Sequence, residues 1–298
     1  MTAVLRPEQV TAAAQLACLL EASAPKPGNV TPAADFHDAR YEDYLASAIA
    51  IGPAIAGAGA QPLGATIRAA VAATSHWVPS NTNLGVVLLL APLARAALAP
   101  GRAPLRARLS GVLATTTVLD AQEAYAAIRL ASPGGLGRAA EQDVACEPTM
   151  PLREAMALAA ERDAIAREYV TDFATTFEVG HPALRRARAA GLGWSDATLE
   201  TYLTLLAAAP DTHVARKLGT AAAADVQGRA RIVLERGGVR TPAGREAIAT
   251  LDDDLRDPRN TRNPGATADL TAAALFVALL EGGWHRPGGT GGDAREQS

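Results

Sequence analysis

The residues best placed to do chemistry fall where the chain stops being helical. In "PKPGN" (25–29), Lys26 stands between two prolines and is followed by Gly28. Pro25 and Pro27 stiffen the backbone on both sides of the lysine, and Gly28 permits positive φ. Backbone N–H groups near a helix end could then join the ammonium in holding an anion, although an ordinary helix stop with a solvated lysine uses the same residues. Asp35 and Asp38 precede the next helical pattern. They either complement its dipole or aim at a divalent cation, because Mg²⁺ favours one or two carboxylates with phosphate oxygens and water. "PSNTNLG" (79–85) sets Ser80, Asn81, Thr82 and Asn83 ahead of "LGVVLLLAPLA", a helix too apolar to be anything but buried. One N-cap is enough, so the surplus amides could read a ribose, a base edge or a phosphate; a capped helix entry with polar neighbours is the alternative.

Two further interruptions carry charge. "SPGGLG" (132–137) lacks the GxxxxGK[ST] pattern and follows no strand, which rejects a phosphate loop and leaves a turn that could carry Asp143 toward a site. In "PDTHVARKLG" (210–219), Asp211 is placed to cap a helix on which Arg216 and Lys217 follow, and a solvated face is the default for those charges. The five histidines form no HExxH or paired ligand spacing, so zinc has no support, and GxSxG, CxxC and GxGxxG motifs are absent.

The elements that must position these loops are helices. Helical periodicity runs over 8–22, 41–57, 63–76, 83–98, 104–129, 151–177, 195–209, 212–235, 242–256 and 267–281, with no alternating β-branched or aromatic runs. Ser195 with Asp196, and Thr241 before Pro242, offer helix-start chemistry. Abundant alanine favours close helix packing, so the expectation is an all-α fold: one compact multi-helix bundle with a nucleotide cavity formed by the inter-helix loops. No composition shift marks a boundary, giving a single domain over 1–284 and a Gly-rich disordered tail over 285–298.

A net charge of −3 supplies no field to gather nucleic acid or an anionic membrane. The best apolar run is far shorter than the ~20 residues a bilayer requires. Cys18 lies in the apolar "LACLL", where a buried free thiol is expected, in keeping with a reducing, cytoplasmic setting. A homodimer is possible, since Ala-rich helices pair across an interface as readily as inside a core.

As a set, "PKPGNV" with Asp38 downstream, "NTNLG", "PGGLG…DV", "DTHVARK" and "NPGATADL" resemble the triphosphoribosyl-dephospho-CoA synthase family in order and approximate separation, across roughly residues 10–281. The resemblance implies transfer of the triphosphoribosyl group of ATP to the 2′-hydroxyl of 3′-dephospho-CoA, with release of adenine. It implies Lys26, Gly28, Asn81, Asn83, Gly85, Lys217, Asn263 and Gly265 as ATP-binding residues, with Arg216 a further clamp. It implies Asp38, Asp143 and Asp211 as Mg²⁺ ligands, and a catalytic base among Asp38, Asp211 and Asp269; Asp269 could equally cap the last helix. Decarboxylase-linked members read Asn-Thr-His-Lys-Gly where this chain has Asn81-Thr82-Asn83-Leu84-Gly85, and a His-Arg-Gly-Gly-like segment where it has "ARKLG". Those departures leave two alternatives: ribosyl or phosphoribosyl transfer from ATP to another acceptor, and a helical nucleotide-binding protein without catalysis.

Overall fold

A computed structural model describes residues 5–134, 137, 139 and 141–284, so the expected tail lies outside the described residues. Among the described residues fifteen α-helices follow in order. They are α1 (Pro7–Ser23), α2 (Tyr41–Ala50), α3 (Gly52–Ala56), α4 (Leu63–Trp77) and α5 (Leu84–Leu98), then α6 (Leu105–Ala114), α7 (Val118–Ala131), α8 (Leu152–Ala157), α9 (Ala164–Val170) and α10 (His181–Ala189). The last five are α11 (Trp194–Ala208), α12 (Thr212–Leu218), α13 (Thr220–Glu235), α14 (Pro242–Leu255) and α15 (Gly265–Leu280). A π-helical turn, Thr175–Gly180, leads into α10, and a 3₁₀ turn, Gly238–Arg240, precedes α14. Among the described residues β pairing is limited to one isolated bridge, Thr31 with Ala34, so the fold is all-α.

Two helices form the centre. α15 and α5 are apolar on every side, and such helices must be covered all round. α15 packs against α1, α5, α9, α10, α11, α12 and the π turn, burying Leu275, Phe276 and Val277 completely. Each side chain so buried contributes about 1.5–3 kcal/mol. Polar and backbone features break this apolar pair at its ends. Gly85 opens α5, and Asp269 sits in the second turn of α15. A second apolar cluster, built from Leu199, Tyr202, Leu206, Val214, Val226 and Leu251, joins α11 through α14. α11 lies between the clusters, touching α10 and α15 on one side and α13 on the other.

Four of the expected continuous helices are divided. The 41–57 pattern breaks at Ile51, just ahead of Gly52-Pro53, because proline lacks the N–H that continued winding requires. The 104–129 pattern breaks at three successive threonines; Thr117 then caps α7, accepting from Asp120 N at 3.2 Å, while Asp120 Oδ2 accepts from Thr117 N at 2.9 Å. The 151–177 pattern becomes α8, α9 and the π turn, with buried Glu168 accepting from Thr175 N and Thr176 N, each at 2.9 Å. The 212–235 pattern breaks at Gly219, whose φ of +91° leaves the helical region. Thr241 caps α14 as expected, accepting from Gly244 N at 3.0 Å. Ser195 does not cap α11, which begins at Trp194 behind Gly193.

Candidate functional site

A cavity of about 1040 Å³ opens between the two centre helices and the loops at their ends. One wall comes from the 81–86 segment and the start of α15, a second from Glu21 and Ala22 on α1 with Tyr44 on α2. The end of α7, the 141–145 segment, the α8–α9 turn and α12 complete it.

Asp269 is the most distinctive group on this wall. Its carboxylate makes no hydrogen bond to the described protein, and it rests where a side chain at Gly85 would stand: a Cβ there would overlap Oδ2. Glycine at 85 therefore lets a carboxylate approach the first turn of α5. Burial raises the Asp269 pKa well above the usual carboxylate range, the charges of Glu21, Asp211 and Asp163 add to the effect, and Arg216 opposes it. Glu21 lines the same cavity, and its Oε1 lies 3.0 Å from Lys26 Nζ.

That contact corrects the expected role of Lys26. The lysine is 1% exposed, and its ammonium also donates to the carbonyls of Glu21 and Ala24. Its three donors are used within the protein, so it holds Glu21 in place and does not reach the cavity wall. Gly28 is likewise structural. At φ +72° its N–H donates to Asp252 Oδ1 at 2.8 Å, and a Cβ would stand 2.8 Å from that of Leu255. The prolines and glycine thus make a turn that packs on α14.

Asp211 is removed from both metal and base duty by saturation. Its Oδ1 accepts from His213 N at 2.8 Å and Val214 N at 3.0 Å, and its Oδ2 accepts from Thr267 N at 2.8 Å and Thr267 Oγ1 at 2.7 Å. It caps α12 and ties it to α15. Asp143 lines the cavity, yet its oxygens accept from Ala139 N at 2.6 Å and Ala145 N at 2.8 Å, folding its own loop. Asp38 is exposed beside His37, away from the cavity. The three expected magnesium ligands do not assemble, and among the described residues no group of three or more His, Cys, Asp or Glu could hold a metal ion. Lys217 also lies off the wall, donating to Asn260 O at 3.2 Å.

Asn81, Asn83, Gly85, Asn263, Gly265 and Asp269 do come together on the cavity. Asn81 acts as the cap, accepting from Leu84 N at 3.1 Å, while Asn83 Nδ2 donates to Thr74 Oγ1 at 3.0 Å. Gly265 gives room to the His213 ring, whose Nδ1 a Cβ would overlap. Burial, then the charges of Lys217 and Arg216, hold His213 down at about 3, so its ring is neutral near pH 7.

Sequence reasoning named Arg216 as a clamp and missed the rest of the basic side of the cavity. Arg129, Arg162 and Arg167 line it with Arg216, whose Nη1 lies 3.5 Å from Asp163 Oδ2 and whose buried Nε has no partner. On periodic helices these arginines read as a solvated face. Glu21 left a faint signal, a lone carboxylate in the apolar "LACLLEA".

Such a constellation defines an all-helical protein with one large mixed-charge cavity, arginines and carboxylates sharing its wall. The family model described as ATP:dephospho-CoA triphosphoribosyl transferase matches residues 7–287, and the chain belongs to that family. A protein of Pseudomonas syringae pv. syringae named probable 2-(5''-triphosphoribosyl)-3'-dephosphocoenzyme-A synthase is 32% identical over 180 residues, 57% of each chain. One of the same name from Pseudomonas putida is 41% identical over 101 residues, 33% of this chain and 35% of its own. These matches span little more than half the length of the curated relatives, or less. A crystal structure from Archaeoglobus fulgidus carrying the name putative triphosphoribosyl-dephospho-CoA synthase superposes with a TM-score of 0.63 at 30% identity, covering 80% of this chain and 99% of that one.

Proposed function

We propose that this chain transfers the triphosphoribosyl group of ATP to the 2′-hydroxyl of 3′-dephospho-CoA and releases adenine, the reaction for which its family is named. The observation that carries the reading is Asp269, an unpartnered carboxylate on the wall of a cavity that also holds four arginines. A volume of about 1040 Å³ is at the upper end for a single small ligand and suits two substrates held together.

In this reading the hydroxyl oxygen of the acceptor attacks C1′ of ATP, the C1′–N9 bond breaks with its electrons on adenine, and Asp269 takes the hydroxyl proton. A raised pKa strengthens Asp269 as a base. Glu21, fixed by Lys26, lends negative charge to the oxocarbenium-like centre. Arg162, Arg167 and Arg216, gathered about the α8–α9 turn, would grip the triphosphate, a task for which forked guanidinium groups are suited. Among the described residues no side chains form a resident metal centre, so in this reading magnesium enters as the counter-ion the triphosphate carries. No helix of the described residues is long and apolar enough to cross a membrane, and a reaction that consumes ATP fits the cytoplasm.

One observation favours the same chemistry on another acceptor. Leu84 lines the cavity at the position where decarboxylase-linked members carry lysine, which removes a cation from the acceptor's surroundings. Incubation with ATP, Mg²⁺ and either dephospho-CoA or other hydroxylated acceptors, with free adenine measured by chromatography, decides between them. Adenine release only with dephospho-CoA supports the main reading. Release only with another acceptor supports the second, and ATP binding without release under any condition defeats both. Asp269→Asn should lower kcat roughly 100-fold or more. The acid limb of kcat/KM in the wild type should lie above pH 4, because a base with a raised pKa loses its lone pair to a proton earlier as pH falls.

A further inference from the structure

Asn263 poses a problem that the transfer step leaves unanswered. It is 8% exposed, it lines the cavity just ahead of α15, and its Oδ1 is buried without a hydrogen-bond partner among the described residues. The other end of the amide donates to no protein group among the described residues. Burying a carboxamide without its bonds is costly, and buried polar groups are otherwise paired almost without exception. Exchanging the oxygen and nitrogen positions would leave the same need, because one end of the amide would still be buried without a partner.

The surroundings narrow the ligand. His213 lies against Gly265, and its flat ring is uncharged near neutral pH. Pro210 and Ala266 add apolar surface on the same part of the wall. An amide that offers one acceptor beside one donor, next to a neutral flat ring and apolar surface, is a poorer match for phosphate, which offers acceptors alone, than the nearby arginines are. It suits the edge of a purine that presents a donor beside an acceptor.

We infer that Asn263 reads the adenine of ATP, its Oδ1 accepting from the N6 amino group and its Nδ2 donating to N7, with the His213 ring beside the base. An asparagine amide matches that edge of adenine in two bonds, and guanine or hypoxanthine, with an oxygen at C6, meets it with two acceptors. Either orientation of the amide then leaves an acceptor facing an acceptor. The same contact assists departure: as the C1′–N9 pair moves onto the base, the Nδ2 hydrogen bond to N7 draws charge away from N9, and the amide keeps its protons. Asn263 thereby becomes the residue that sets nucleotide choice. This inference rests on the proposed use of ATP.

The test measures dissociation constants by calorimetry for ATP, ITP and 7-deaza-ATP. ITP replaces the N6 amino group with an oxygen, and 7-deaza-ATP removes the N7 acceptor. Wild-type protein should bind each analogue roughly tenfold or more weakly than ATP. In Asn263→Ala all three should bind within about threefold of one another, because the group that told them apart is gone. Asn263→Asp keeps the shape and loses the donor, so a carboxylate oxygen then faces N7; the variant should bind 7-deaza-ATP at least as tightly as ATP while still disfavouring ITP. Equal wild-type affinities, or variants that discriminate as the wild type does, would overturn the inference. Adenine release tells the two ideas apart. Release with an ATP preference unchanged in Asn263→Ala sinks the purine site and leaves the transfer standing. Asn263-dependent discrimination without release does the reverse.

Discussion

At the scale of single residues, a cation can be buried to hold a carboxylate instead of a substrate. Lys26 is the case in point: its position between two prolines suggests an anion clamp, and the structure closes its three donors on Glu21 and Ala24. The two roles predict different losses. Lys26→Met leaves the Glu21 carboxylate without its partner and should cost about 3–5 kcal/mol of stability, measured by urea unfolding. Adding Glu21→Gln should recover part of that loss, since the uncompensated charge is then removed as well. A direct phosphate clamp would instead weaken ATP binding at undiminished stability. Ambiguity between capping, bracing and ligation limited the reading of the other charged residues for the same reason. Asp211 uses its four acceptor positions on His213, Val214 and Thr267, and the residue type alone cannot distinguish a saturated carboxylate from a free one. What separates Asp269 from Asp211 is the absence of nearby donors, which depends on Gly85 of a helix far away in sequence.

Helices were easier to read than side-chain roles because their periodicity is local. The ten expected helical stretches are found, and the divided ones break where proline, glycine or consecutive threonines compete with the backbone pattern. α5 poses a sharper problem, with Pro92 in its interior. Proline has no N–H to give the carbonyl one turn earlier, that of Leu88, in a helix sealed from water. Tyr169 supplies the missing donor: its hydroxyl gives a hydrogen bond of 2.6 Å to Leu88 O. The helix therefore tolerates its proline because a side chain on α9 completes the ladder. Tyr169→Phe keeps the ring and leaves a buried carbonyl unsatisfied, which should cost about 1–3 kcal/mol in thermal or urea unfolding. Pro92→Ala in that background should restore much of the loss, because the alanine N–H can make the bond the tyrosine had made. If Tyr169→Phe proves neutral while Pro92 is present, the hydroxyl does not serve this purpose.

Across the molecule, the cavity is assembled from elements of both apolar clusters. Gly85 and Asp269 belong to the centre helices, whereas His213 and Arg216 belong to α12, which packs on α13 in the second cluster. α11 contacts both clusters, and the Asp211 bonds to Thr267 tie α12 to α15. We propose that this coupling makes residues up to 284 one cooperative unit, which should unfold in a single transition with coincident calorimetric and spectroscopic midpoints. A nucleotide lying between the clusters would contact both and join them further. Bound at a concentration of about 100 Kd it should add about 2.7 kcal/mol to global stability. Hydrogen exchange locates where that bond acts. Amides in 81–87, 212–216 and 265–269 should slow when ATP is present, because the local openings that expose them must also release the ligand. Local exchange in α6, which contributes nothing to the cavity wall, should stay unchanged. Slowing confined to one cluster would mean that the nucleotide rests on a single wall, and the two-sided site proposed for the transfer would fail with it.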